Sequence, residues 1–214
     1  MGQNKPQYHK EMEKIIEGLG GERKRLLLHS CCAPCSSGVL VPLQEIFDLT
    51  VYFYNPNLSE AEEYQKRAAE QKKLINALNK EKPTFPIGIT EEHYEPREFY
   101  EIARGLESCP EGGERCFRCY GLRLDRTARK AKEEGFDFFT TTLTISPMKN
   151  ADKLNEIGKQ LEEKYGVAFL PSDFKKRDGY KNSIALSKQY DLYRQNFCGC
   201  IYSKVESLSK EGKI

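Results

Sequence analysis

Short apolar runs alternate along this chain with longer stretches in which apolar residues recur every three or four positions. Residues 25–29, Arg-Leu-Leu-Leu-His, make a brief apolar run of the kind found in buried parallel strands. Leu49 to Tyr54, Asp137 to Thr142 and Val167 to Leu170 repeat that pattern, and Thr84 to Ile87 is a further strand candidate. Between the runs the period lengthens. Met12, Ile15, Ile16 and Leu19 form one helical stripe, stopped by Gly20-Gly21. A second helix is expected from about Pro34, a good first-turn residue, to Phe47, with Pro42 as a kink point. Residues 60–80 predict a long charged helix with apolar positions near Ala61, Tyr64, Ala68, Leu74 and Leu78. Further helices are expected at 95–102, 116–134 and 150–165, with helical patches near 183–190 and 201–209 and a loop over 105–115.

Strands alternating with helices predict an α/β fold, a parallel sheet with helices on both faces. Ligands of such sheets bind beyond the carboxyl ends of the strands. The length of 214 residues suits one α/β domain, 1–214, with residues 1–22 as an N-terminal helical extension. Only 38% of residues are hydrophobic, but eleven Phe and twelve Tyr supply a core. A net charge of +2 does not by itself indicate a nucleic-acid partner and leaves a local basic face open. The first residues lack the apolar stretch of a secretory signal. No apolar run approaches the roughly 20 residues of a membrane span. A cytoplasmic protein with no membrane partner is expected, and structural disulfides are uncommon in that compartment.

The cysteines then change the picture. Seven of the eight fall into three groups: Cys31-Cys32-Ala33-Pro34-Cys35, Cys116 with Cys119, and Cys198-Gly199-Cys200; Cys109 stands apart and reads as an ordinary core residue. Clustered thiols in a reducing compartment bind metal or do redox work. The first group follows a strand and opens a helix, where N–H groups favour thiolates. A nucleotide phosphate would need glycines at this turn, and bulky thiols replace them. Cys116 and Cys119 begin a helix behind a Gly-Gly loop, and together the two groups hold enough thiols to supply four thiolates to one centre. Four thiolates suit tetrahedral zinc or an iron–sulfur cluster, and the adjacent Cys31-Cys32 pair suits the larger cluster better. Gly199 lets the third group bend tightly, as a metal site or a redox disulfide. Two other classes stay open: a structural-zinc RNA-binding module, and a thiol–disulfide oxidoreductase using Cys32 and Cys35.

Other residues carry weaker signals. Tyr52, Phe53 and Tyr54 end a strand and either stack a flat base or belong to the core. Arg123, Arg126 and Arg129, three residues apart, face a phosphate backbone or only solvent. Thr140 to Asn150 gathers hydroxyls, Lys149 and Asn150 at a strand end, to bind a polar ligand or to cap the next helix. Asp173 lies in a polar loop as a candidate metal ligand or proton donor, and His29 reads as a satisfied core histidine.

Together these segments resemble the epoxyqueuosine reductases of the QueH family, the cobalamin-independent type. The matching strings are Leu28-His-Ser-Cys-Cys-Ala-Pro-Cys-Ser36, Tyr52-Phe-Tyr-Asn-Pro-Asn57, Pro110-Glu-Gly-Gly-Glu-Arg-Cys116 with Cys119, Arg123-Leu124, Thr141-Thr-Leu-Thr-Ile-Ser146, Asp173-Phe-Lys175 and Tyr193-Arg-Gln-Asn-Phe-Cys-Gly-Cys200. They span nearly the whole chain beyond residue 25; Met148 and Phe197 stand where many members have Tyr. The resemblance implies an adenine-nucleotide α-hydrolase-like (HUP) fold with the cysteine run in place of its phosphate loop. It implies reduction of epoxyqueuosine to queuosine at the tRNA wobble position, with a [4Fe–4S] cluster and an adjacent iron ion. By motif position Cys31, Cys32, Cys116 and Cys119 are assigned to the cluster. Cys35, Cys198 and Cys200 are left for the second metal, or Cys198 and Cys200 for a redox pair. The 171–214 segment then closes over the metal site. Removing an epoxide oxygen needs two electrons and two protons, hence an external electron donor and an acid, for which Asp173 or a Tyr is the candidate.

Overall fold

A computed structural model describes residues 6–210 and 212, without the side chain of Lys210. Residues 1–5 of the expected N-terminal extension lie outside the described residues. The five strands β1 (Arg25–His29), β2 (Asp48–Phe53), β3 (Gly88–Glu91), β4 (Phe138–Thr141) and β5 (Ala168–Phe169) pair in the order β3-β2-β1-β4-β5, all parallel. The chain leaves β1 toward β2 on one side and returns through β4 on the other. The carboxyl ends of β1 and β4 therefore flank the switch point at which such sheets bind ligands.

Side chains alternate along each strand, and that sorts them into two cores. Leu26, Leu28, Leu49 and Val51 face a cluster built with α1 (Tyr8–Gly18), α2 (Ala33–Leu43) and α3 (Ala61–Glu81). Leu27, Tyr52, Tyr54 and Phe139 face the opposite cluster, built with α5 (Glu114–Glu133) and α6 (Ala151–Tyr165). α4 (Arg97–Ala103) rests on α5. The chain ends in α7 (Gly179–Gln189), packed on α2, and α8 (Ile201–Lys210). Met12 of α1 is buried in the first cluster, so the N-terminal helix is part of the main core.

Three boundaries depart from expectation. The third strand runs over Gly88–Glu91 and not Thr84 to Ile87. Pro83 and Pro86 carry no N–H for a ladder, and the Asn79 side chain holds both the N–H and the C=O of Ile87. The second helix stops at Leu43, just after Pro42, and Arg23 binds the freed carbonyls of Gln44, Glu45 and Phe47. After β4 the chain tightens into a 3-10 turn over Thr142–Ile145 in place of a longer strand, with Thr141 Oγ1 accepting from the N–H of Leu143.

α2 is buried over most of its surface because α3, α7 and the Thr142–Ile145 turn pack against it. Gly38 makes the approach to α7 close: a Cβ there would lie 3.0 Å from the carbonyl oxygen of Gly179 and 3.1 Å from Cβ of Ser183. Gly38→Val is therefore expected to cost about 1–3 kcal/mol, roughly 3–10 °C in Tm, by overpacking. Thermal unfolding followed by circular dichroism checks this, and an unchanged Tm would mean that α7 moves away freely.

Candidate metal and redox centre

Cys31 sits between the last residue of β1 and the first of α2, and Cys32 is the N-cap of α2 in extended backbone. Ala33 and Pro34 open the helix, which brings Cys35 back over the turn. The three sulfurs lie within 4.8 Å of one another, with Cys31 and Cys32 Sγ 3.7 Å apart. The S–H groups of Cys32 and Cys35 hold the Cys31 thiol well below the usual thiol range, with help from Arg123 and Lys149. Cys32 and Cys35 shift upward in exchange. This turn thus concentrates one thiolate on Cys31.

Cys116 and Cys119 stand in the first two turns of α5, and the N–H of Gly112 donates to Cys116 Sγ at 3.3 Å. They share a small cavity with Cys198, Cys200, Asn57 and Lys149. Burial raises the Cys116 thiol, and pushes Cys119 up to about 11 and Cys200 up to about 12. Buried thiols of this kind ionise when a cation arrives to take them. Lys149 Nζ lies 3.3 Å from Cys198 Sγ. Burial opposes its charge, but Cys198, Tyr120 and Cys31 outweigh burial and keep it an ammonium.

The Cys198-Gly199-Cys200 loop is clasped from three sides. Arg67, itself buried, donates to the carbonyls of Cys198 (3.0 Å) and Phe197 (3.4 Å). Ser59 donates to the Gly199 carbonyl from both N and Oγ at 3.2 Å. Ser203 Oγ accepts from the Cys198 N–H at 2.9 Å. Gly199 has φ +115°, and a Cβ there would meet Leu58 Cδ2 at 2.2 Å, so only glycine passes.

Arg123 ties the groups together. It is 1% exposed; Nε donates to His29 Nε2 at 3.2 Å and Nη2 to Asn55 Oδ1 at 2.5 Å. His29 Nε2 lies between the Arg123 Nε–H and the Tyr54 carbonyl oxygen at 3.1 Å, and Nδ1 is 2.8 Å from Thr141 Oγ1. Burial and then Arg123 lower the His29 pKa to about 3, so the ring is neutral.

Several expectations change here. Arg123 does not face a phosphate backbone: it lies on the buried stripe of Tyr120, Leu124, Thr127 and Ala128. Three-residue spacing drifts around a helix, so Arg126 instead pairs with Glu98 and Arg129 faces solvent beside Glu133. Tyr52 and Tyr54 are buried, stacked on each other with centroids 5.9 Å apart, and bonded to Glu92 and Glu98; they are core and not a base platform. Cys35 lies with Cys31 and Cys32 and also lines one cavity with Cys198. Asp173 pairs with Lys175 at 3.3 Å and is not among the residues lining the cavity described next. Arg67 gave only an indirect signal: with Gln71 it is a polar residue on the stripe of Tyr64, Ala68, Leu74 and Ile75.

Above Cys31, Cys32, Cys35 and Cys198 opens a cavity of about 450 Å³, with Lys149 in its wall. Met148 (61% exposed) and Tyr180 (38%) stand at this opening. The free thiols of the three cysteine groups are a donor set that fits an iron–sulfur cluster.

A parallel α/β sheet with seven thiols gathered at its carboxyl edge defines a protein that works through sulfur-bound metal or thiol redox chemistry. A sequence model described as "Epoxyqueuosine reductase QueH" matches residues 26–206. Relatives described as epoxyqueuosine reductase QueH include a Staphylococcus epidermidis protein, 41% identical over 96% of this chain and 88% of its own length. Another, from Thermotoga maritima, is 37% identical over 88% of this chain and 95% of its own length. This chain belongs to the epoxyqueuosine reductase QueH family, a family of oxidoreductases. Among solved structures, the U34-tRNA thiolase NcsA from Methanococcus maripaludis, with its [4Fe–4S] cluster, superposes with a TM-score of 0.51. It covers 94% of this chain and 69% of that one at 17% identity, a likeness of fold. No helix among the described residues is long and apolar enough to cross a membrane.

Arg123→Met would leave His29 Nε2 and Asn55 Oδ1 buried without their donor. Urea unfolding of the metal-free protein is expected to show a loss of roughly 2–4 kcal/mol. Arg123→Lys is expected to recover only part, because one ammonium cannot reproduce the fork.

Proposed function

We propose that this chain reduces the epoxide of epoxyqueuosine in tRNA to the alkene of queuosine, and does so in the cavity above the cysteine turn. The observation that carries this reading is a cavity of about 450 Å³ lined by Cys31, Cys32, Cys35 and Cys198, with Cys198 shared by a second, small cavity that holds Cys116, Cys119 and Cys200, in a chain of this family. The reaction consumes two electrons and two protons and releases the epoxide oxygen as water. Cys31, Cys32, Cys116 and Cys119 would hold a [4Fe–4S] cluster, leaving Cys35, Cys198 and Cys200 for a second iron or a thiol pair. Such a cluster, when bound, supplies electrons one at a time, and a second iron beside it supplies Lewis acidity.

The chain's own residues divide the remaining work. The Cys198 and Cys200 thiols together hold two electrons and two protons, which is what one turnover uses. Used as a redox pair, they end a turnover as a disulfide that an external electron donor must reduce; used as iron ligands, they cannot. Lys149, half-buried beside Cys198, brings a positive charge to the cavity wall, where a developing alkoxide would be stabilised. Asp173, the candidate proton donor, is not among the residues lining this cavity. Exposed Lys176 and Lys181, on either side of Tyr180 in the sequence, suit tRNA phosphates. A tRNA substrate places the enzyme in the cytoplasm.

The deciding experiment is anaerobic purification, counting iron, zinc and sulfide per chain, followed by single-turnover reduction of epoxyqueuosine-tRNA. About four sulfides with four or five irons, and queuosine as product, are expected. Zinc without sulfide would overturn the cofactor reading and favour the zinc module. Cys198→Ser and Cys200→Ser proteins with intact clusters are expected to lose turnover, and wild-type rates in both would remove that pair from the chemistry.

Met148 and Tyr180, apolar and exposed at the cavity mouth, are placed to hold the modified base. Met148→Ala and Tyr180→Ala are each expected to raise KM for tRNA about 5- to 10-fold, a loss of stacking near 1 kcal/mol, with kcat changed less. Steady-state kinetics checks the split; an unchanged KM in both would place the base elsewhere.

A further inference from the structure

Asn57 is 2% exposed, yet its Oδ1 has no hydrogen-bond partner among the described residues. Its side chain lines the same small cavity as Cys116, Cys119, Cys198 and Cys200. Buried polar groups are almost always bonded, so an orphan inside a thiol-lined space points to something that belongs there.

Its backbone is fixed. The N–H of Leu58 donates to Asn55 O at 3.1 Å, closing a tight turn through Pro56 and Asn57. Leu58 fills the space that a side chain at 199 would need, and Ser59 is bonded twice to the Gly199 carbonyl. The carboxamide is thus registered against the Cys198–Cys200 loop by the two residues that follow it.

The chemistry of that neighbourhood is one-sided. Thiolate sulfur and sulfide accept hydrogen bonds and donate none. A carboxamide has nearly the same shape with its oxygen and nitrogen exchanged, so Asn57 can turn two N–H donors toward sulfur. Donors to sulfur stabilise the more negative, reduced state of an iron–sulfur centre.

We infer that Asn57 is a positioning residue for the metal centre: its carboxamide N–H donates to a sulfur of the bound cluster or of its cysteine ligands and raises the reduction potential. This rests on the iron–sulfur reading above. The test uses the full chain, reconstituted anaerobically, with iron and sulfide counted and the potential read by a dye-mediated optical titration. Asn57→Leu keeps the volume and removes the donors. It is expected to shift the reduction equilibrium about tenfold toward the oxidised state, about 59 mV for a one-electron couple. Asn57→Asp adds a negative charge and is expected to shift it further in the same direction. Asn57→Ala is the second variant should Asn57→Leu fail to fold, with the same expected shift. Wild-type potentials in these variants at equal iron and sulfide would overturn the inference and leave the reductase reading intact. A wild-type chain that takes up no sulfide would overturn both.

Discussion

The centre is organised around a charge that cannot be given up. Arg123 is sealed from water, and its guanidinium keeps its proton at any ordinary pH. Its two hydrogen-bond partners, His29 and Asn55, are neutral. A buried cation needs anions, because desolvation without compensation costs several kcal/mol. Sulfur meets that need first at Cys31, the thiol that Arg123 helps to hold as thiolate. The cation in turn favours thiolate on Cys31 and lowers the cost of ionising Cys119. Charge and thiols make each other possible.

The same contact sets the geometry. His29 ends β1 two residues before Cys31, Asn55 follows β2, and Arg123 lies one turn beyond Cys119 on α5. One planar fork therefore holds the first cysteine turn against the start of α5. Asn55 also donates to the carbonyl of Ser30, which fixes the residue just before Cys31. Arg67 repeats the device for the third group by gripping the Phe197 and Cys198 carbonyls. Two buried arginines on two helices thus bring distant cysteine segments together, and the cavity lies above their meeting point.

The parallel sheet explains why this happens at one edge. Its switch point leaves a crevice between β1 and β4. A phosphate-binding protein of this shape would place glycines there; this chain places Cys31, Cys32 and Cys35. The 3-10 turn after β4 then brings Thr142 Oγ1 within 3.9 Å of Cys31 Sγ, and the segment that follows delivers Lys149. The crevice becomes a site for sulfur chemistry with a fixed cation beside it.

Much of this was legible along the chain. The run at 25–29 is β1, the Met12, Ile15 and Ile16 stripe is α1, and alternation of the two periods gives the parallel α/β class. Hydrophobic period reports local structure directly, since it records which face of each element meets the core. The three cysteine groups announced metal or redox chemistry for an equally local reason, the spacing of thiols. The edges of this legibility are physical too. Asn79, not the strand pattern, decides where β3 begins, because its side chain captures Ile87 first. Arg123 read as a surface cation, and Tyr54 stayed open between base stacking and core, because nothing local says that their surroundings are dry. Cys35 joins Cys31 and Cys32 through one helical turn, whereas Cys198 reaches Lys149 and Cys119 only through the clasp of Arg67 and Ser59. The sequence by itself determined the elements and the chemical repertoire. Only the tertiary structure decided which thiols, cations and amides share one desolvated space, because partnership there depends on burial and contact between segments far apart in the chain.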